Sequence, residues 1–137
     1  MELFHGTTES SANIILGPPQ SVDVQKGRGE LGRGFYLGNN ISLAASLSKA
    51  KGKNSSAILK FHIIESQYIK LNILIINRRQ VVFNNWKNLI KLKKTGEHKF
   101  NVDVVVAPFA TIDFAYQMKF ESYNSQQLLN STIIEKL

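Results

Sequence analysis

The strand-like stretches of this 137-residue chain are short and fall irregularly among its helical ones, which excludes a regularly wound βαβ sheet. Glu2–His5 is an apolar run that breaks at Gly6-Thr7-Thr8, and Gly34–Leu37 is a second. Ala57–Ile64 alternates and turns β-branched towards its end, while Val102–Ala107 is halted by Pro108. Tyr116–Ser122 sets Met118 and Phe120 on one face and Gln117, Lys119 and Glu121 on the other. Thr132–Leu137 is the last such run. Among helices, Ser10 or Ser11 caps a short one to Ile15, stopped by Gly17-Pro18-Pro19. Asn40 caps another over Ile41–Ala50, with Leu43, Leu47 and Ala50 along one face. Helical period over Val81–Lys94 turns Val82, Trp86 and Leu89 inward and sets Lys87, Lys91 and Lys94 opposite, and Gln126–Leu129 forms a short turn. Strands outnumber helices, so the expected class is α+β, one domain over residues 1–137.

Composition narrows the chemistry. With 43% hydrophobic residues the chain can bury a core, and with no cysteine it has neither disulfides nor thiolate sites for zinc, iron–sulfur or nucleophilic catalysis. No apolar run approaches the ~20 residues of a membrane-spanning helix. Met1–His5 lacks the flank and apolar stretch of a signal peptide, so a cytoplasmic address and no membrane partner are expected. Seventeen Lys and Arg against ten Asp and Glu give a net charge of +7. Most of it sits in residues 78–99, where Arg78, Arg79, Lys87, Lys91, Lys93, Lys94 and Lys99 face Glu97 alone. Such a segment suits an anionic partner.

Familiar motifs fail on context. Gly27-Arg28-Gly29-Glu30-Leu31-Gly32 fits the dinucleotide fingerprint formally, but a strand-like run follows it where a helix should open. The next acidic residue after Glu30 is Glu65, too far to take a ribose hydroxyl. The segment reads instead as a glycine-rich loop whose Arg28 and Arg33 can meet phosphate. His5, His62 and His98 have no metal-ligand spacing, and no Gly-x-Ser-x-Gly elbow exists.

Three pieces taken in order are more informative: Leu3-Phe4-His5-Gly6-Thr7, Gly32-Arg33-Gly34-Phe35-Tyr36-Leu37, and Tyr116-Gln117-Met118-Lys119-Phe120-Glu121-Ser122. Together they resemble the ADP-ribosyltransferase superfamily, in the His-Tyr-Glu branch that includes diphtheria toxin and the poly-ADP-ribose polymerases. The likeness is to small bacterial domains with an "HGT" opening, a "GKGFYLT"-like middle and a "Q-x-x-F" ending. Asp103–Ala110 is similar to the "D-x-V-x-G-P-x-A" stretch before the last motif. The resemblance covers about residues 2–129.

It implies a split β-sandwich of two small sheets with short peripheral helices, and NAD+ as co-substrate without a metal. His5 matches the histidine that holds the adenosine-side ribose, Gly6 the backbone grip on the nicotinamide amide, and Tyr36 the ring that stacks on nicotinamide. Thr7, Arg28, Arg33, Phe35 and Ser42 complete the implied NAD site. In the helix that follows, Ala44 and Leu47 replace the family's second serine and second stacking aromatic. Gln117 stands where the catalytic glutamate is expected, with Glu121 the other candidate. The two lie ~13 Å apart along a strand and cannot occupy one spot.

The chemistry explains the residue types. Nicotinamide leaves a glycosidic carbon as the ribose becomes oxocarbenium-like, so the site must fix the ring, hold the pyrophosphate and stabilise positive charge. The implied activity is mono-ADP-ribosyl transfer to a macromolecular acceptor, in the manner of toxins or phage-defence effectors, with an antitoxin as a further partner. The stripe Lys87, Lys91 and Lys94 favours single-stranded RNA or DNA as acceptor. The alternative, left open by Gln117, is a catalytically weakened module of the same fold that binds NAD or RNA.

Overall fold

In the computed structural model, which describes residues 1–77, 97–109 and 115–137, the first strand does not stop at Gly6. β1 (Glu2–Thr8) continues because β5 (Ser56–His62) pairs along its whole length, from Glu2↔His62 to Thr8↔Ser56. The cap of α1 (Glu9–Leu16) is accordingly Thr8, whose Oγ1 accepts from Ser11 N at 3.1 Å, in place of Ser10 or Ser11. β2 (Arg28–Gly29) and β3 (Gly32–Arg33) form a two-stranded ribbon inside the expected loop. β4 (Phe35–Gly38) leads into α2 (Ile41–Gly52), capped as expected by Asn40, whose Oδ1 accepts from Leu43 N at 2.9 Å. After α3 (Glu65–Tyr68) come β6 (Ile73–Ile75), β7 (Val104–Pro108) and β8 (Tyr116–Phe120). α4 (Tyr123–Asn130), closed by a capping box at Ser122, and β9 (Ile133–Lys136) end the chain. The helix expected over Val81–Lys94, with Lys87, Lys91 and Lys94, lies outside the described residues.

The class is mixed α+β. In place of two small sheets there is one seven-stranded mixed sheet in the order β6-β7-β8-β4-β1-β5-β9, plus the ribbon. The two halves are joined because β1 and β4 still meet, but at one position only, Phe4↔Gly38. Continuing that register would set Gly6 opposite Tyr36, and there the strands part. The carbonyls left without a ladder find side-chain donors: Lys51 Nζ reaches Gly6 O at 3.0 Å, and His5 Nδ1 reaches Tyr36 O at 2.8 Å.

One face of the sheet carries the main core, with Leu3, Phe35, Leu37, Leu59, Phe61 and Phe120 buried together beneath Ala12 and Ile15 of α1 and Leu128 and Leu129 of α4. On the opposite face α2 covers β1 and β5, while Leu31 beside the ribbon joins Val105, Ala107 and Ile76 in a second cluster. The face of α2 that carries Leu43, Leu47 and Ala50 is not the one that seats on the sheet. Small Ala44 and Ser48 are buried instead, and Leu47 is 43% exposed. Gly6 explains this: a Cβ built there would lie 2.0 Å from Ala44 O, so the helix backbone rests directly on the strand. No helix among the described residues is long and apolar enough to cross a membrane.

Candidate functional site

Between α2 and the ribbon, over the parting of β1 and β4, lies a cleft of about 600 Å³, within the usual range for small-molecule sites. It gathers His5 and Gly6 from β1, Arg28, Gly29 and Glu30 from the ribbon, Phe35 and Tyr36 from β4, Leu43, Leu47 and Lys51 from α2, and Gln117 from β8. The apolar side of α2 that is turned from the core therefore forms one wall. Of the expected site residues, His5, Gly6, Arg28, Phe35, Tyr36 and Gln117 come together here.

Thr7, Arg33, Ser42 and Glu121 do not line the cleft. Thr7 is buried in the β1–β5 ladder and Ser42 is on the exposed side of α2. Arg33 turns to Gln25 O and to Glu97 at 3.2 Å. Glu121 is sequestered: it is 3% exposed, pairs with Lys119 Nζ at 2.7 Å, and accepts from the backbone N–H of Phe100 and Asn101. The polar face of β8 thus points into protein. Of the two candidates for the catalytic position, Gln117 on β8 and Glu121 just after it, only Gln117 reaches the cleft.

His5 sits in the gap between the parted strands, its ring stacked on Phe35 at 4.3 Å between centroids. A carbonyl only accepts, so the bond to Tyr36 O fixes the proton on Nδ1 and makes Nε2 an acceptor. Burial lowers the imidazolium pKa to about 4, the backbone bond offsetting part of this and the Lys51 charge adding to it. Between pH ~6.5 and ~4 the unfolded chain binds this proton and the folded one does not. The resulting stability is fully present above pH ~6.5 and lost as the pH falls to ~4, about 3 kcal/mol at most and less for the half-open ring. Urea melts of the parent and His5→Asn, which keeps a donor, should diverge in that window; parallel curves would remove the imidazole as their cause.

Tyr36 is committed to the ribbon. Its hydroxyl donates to Gly32 O at 2.6 Å and accepts from Leu31 N at 3.0 Å, and burial raises its pKa well above the ordinary value. A Cβ on Gly29 would lie 2.7 Å from Tyr36 Cζ, so the ribbon backbone lies against the ring for which the resemblance implies a nicotinamide contact. Removing the hydroxyl leaves two backbone groups unsatisfied. Tyr36→Phe should cost about 1–3 kcal/mol and speed tryptic cleavage at Arg28. Unchanged cleavage in a folded variant would show that the hydroxyl does not hold the ribbon.

Two residues that the sequence did not single out complete the site. Glu30 Oε2 accepts from Gln117 Nε2 at 3.0 Å, across 87 positions of chain. Lys51, whose pKa is lowered by burial, brings a cation from the end of α2. The failed dinucleotide motif contained Glu30, but nothing local pairs it with Gln117. Among the described residues, no group of three or more His, Cys, Asp and Glu side chains could hold a metal. The chain matches no known family model and no curated protein.

Proposed function

We propose that this protein is an NAD-dependent mono-ADP-ribosyltransferase that releases nicotinamide and transfers ADP-ribose to a macromolecule. The observation that carries this reading is the convergence of His5, Gly6, Phe35, Tyr36 and Gln117 on one cleft, in the three sequence segments that resemble that superfamily. The parting of β1 from β4 supports the same reading, because it opens the floor of that cleft between His5 and Tyr36. His5 Nε2 accepts a ribose hydroxyl, Arg28 and Lys51 meet the pyrophosphate, and Leu43 and Leu47 give an apolar wall to a ring. Tyr36 contributes by holding the ribbon.

In this reading the acceptor is nucleic acid, drawn by the charge of residues 78–99 and the stripe Lys87, Lys91 and Lys94. The biological role is that of a toxin or phage-defence effector, restrained by an antitoxin. Incubation with NAD labelled in the adenylate, with and without cell extract, tests it. Nicotinamide release with nuclease-sensitive label is expected, and protease-sensitive label would move the acceptor to protein. NAD bound without release would favour the weakened module that the amide at Gln117 keeps in view. No binding at all would end the reading.

A further inference from the structure

We propose that Glu30, carried into the cleft by the turn of the ribbon, is the catalytic carboxylate, and that Gln117 is its positioning residue. This rests on the ADP-ribosyl-transfer reading above. Breaking the glycosidic bond is favoured by negative charge beside the ribose. Gln117 brings none, and the Glu121 carboxylate is spent on Lys119 and two backbone N–H groups. Among the described residues lining the cleft, Glu30 is the one acid.

Its placement is built rather than incidental. Gln117 is 2% exposed and fixed in an inner strand between Gly38 and Ala107, so its amide is a rigid donor to Glu30 at 3.0 Å. The two residues after Glu30 are clamped by the Tyr36 hydroxyl, through Leu31 N and Gly32 O. The residue before it, Gly29, packs on the Tyr36 ring, and Gly34 N closes the ribbon's base on Gly27 O at 3.0 Å. Five contacts, three of them made by Tyr36, therefore fix one short turn. Such preorganisation is what makes a charge effective in a transition state.

In the reaction, the bond from ribose C1′ to the nicotinamide nitrogen breaks and its electron pair leaves with the ring, which turns from pyridinium to neutral nicotinamide. Positive charge develops on C1′ and the ribose ring oxygen. Glu30 accepts a hydrogen bond from the 2′-hydroxyl and opposes that charge. A lone pair of the acceptor, or of water in its absence, forms the new bond to C1′, and its proton passes to solvent.

The test measures nicotinamide release and NAD binding by the full chain carrying Glu30→Gln, Glu30→Ala, Glu30→Asp or Gln117→Ala. Glu30→Gln should bind NAD within ~3-fold of the parent and lose ~10²–10³-fold in kcat. Glu30→Asp should recover part of the loss, and added formate should partly restore Glu30→Ala. Gln117→Ala should lower kcat ~10-fold with KM unchanged, a split that a merely structural residue would not give. A folded Glu30→Gln protein that keeps kcat within a few-fold overturns the carboxylate assignment and leaves the transferase reading standing. A parent protein that releases no nicotinamide overturns both.

Discussion

Replacing Glu121 by Gln should destabilise the protein by about 3–5 kcal/mol, because it leaves an ammonium buried without its counter-charge. Lys119 has no exposed surface, and its pKa is already lowered by burial, which the bond to Glu121 only partly offsets. The same carboxylate ties Phe100 N at 2.9 Å and Asn101 N at 3.0 Å, and Lys119 also reaches His98 O at 3.3 Å. Losing it therefore loosens the approach to β7 as well as the pair. Lys119→Met in the same chain should recover most of the loss, since an apolar side chain of similar size has no charge to strand. Urea melts of the two single variants and the double variant measure the coupling. A cost below about 1 kcal/mol for Glu121→Gln would mean that the pair stabilises little. The double variant also allows Glu121 to be judged apart from folding: with Glu30 as the catalytic carboxylate, it should release nicotinamide with a kcat near the parent's.

Gly6→Ala is expected to cost at least about 3 kcal/mol, at the upper end for overpacking. The added methyl would stand 2.0 Å from Ala44 O and 2.9 Å from Ser48 N, and both are helix backbone. No rotamer change relieves a backbone clash, so α2 must move off β1. That movement takes Leu43, Leu47 and Lys51 away from the cleft and breaks the bond from Lys51 to Gly6 O. NAD affinity should fall together with the melting temperature. A Gly6→Ala protein whose stability stays within about 1 kcal/mol of the parent's would mean that the helix rests on the strand less tightly than the geometry requires.

These two sites mark the boundary of what is legible in the chain. The alternation of Ala57–Ile64, the Asn40 cap and the proline that ends Val102–Ala107 act over a few residues, and each reappears in the fold close to where the pattern puts it. The three segments with motif resemblance also converge, since the order of the strands brings β1, β4 and β8 side by side. Gly6 looked like a strand end in the sequence, and only pairing with Ile58 on β5 carries the strand through it. Glu121 looked like the polar half of an alternating strand, and burial on both faces made it an internal partner of Lys119.

Sequence alone determined the α+β class, the absence of thiol chemistry, the concentration of charge in residues 78–99, and which short segments carry motif resemblance. The first three follow from composition and from periodicities that span one element, and the last from short motifs read in order. Tertiary structure decided the single joined sheet, the seat of α2 on Gly6, the exclusion of Arg33 and Glu121 from the cleft, and the meeting of Glu30 with Gln117. Each of these depends on contacts between residues far apart in the chain. Their partners are chosen by strand register and by how closely two backbones can approach, which no local pattern encodes.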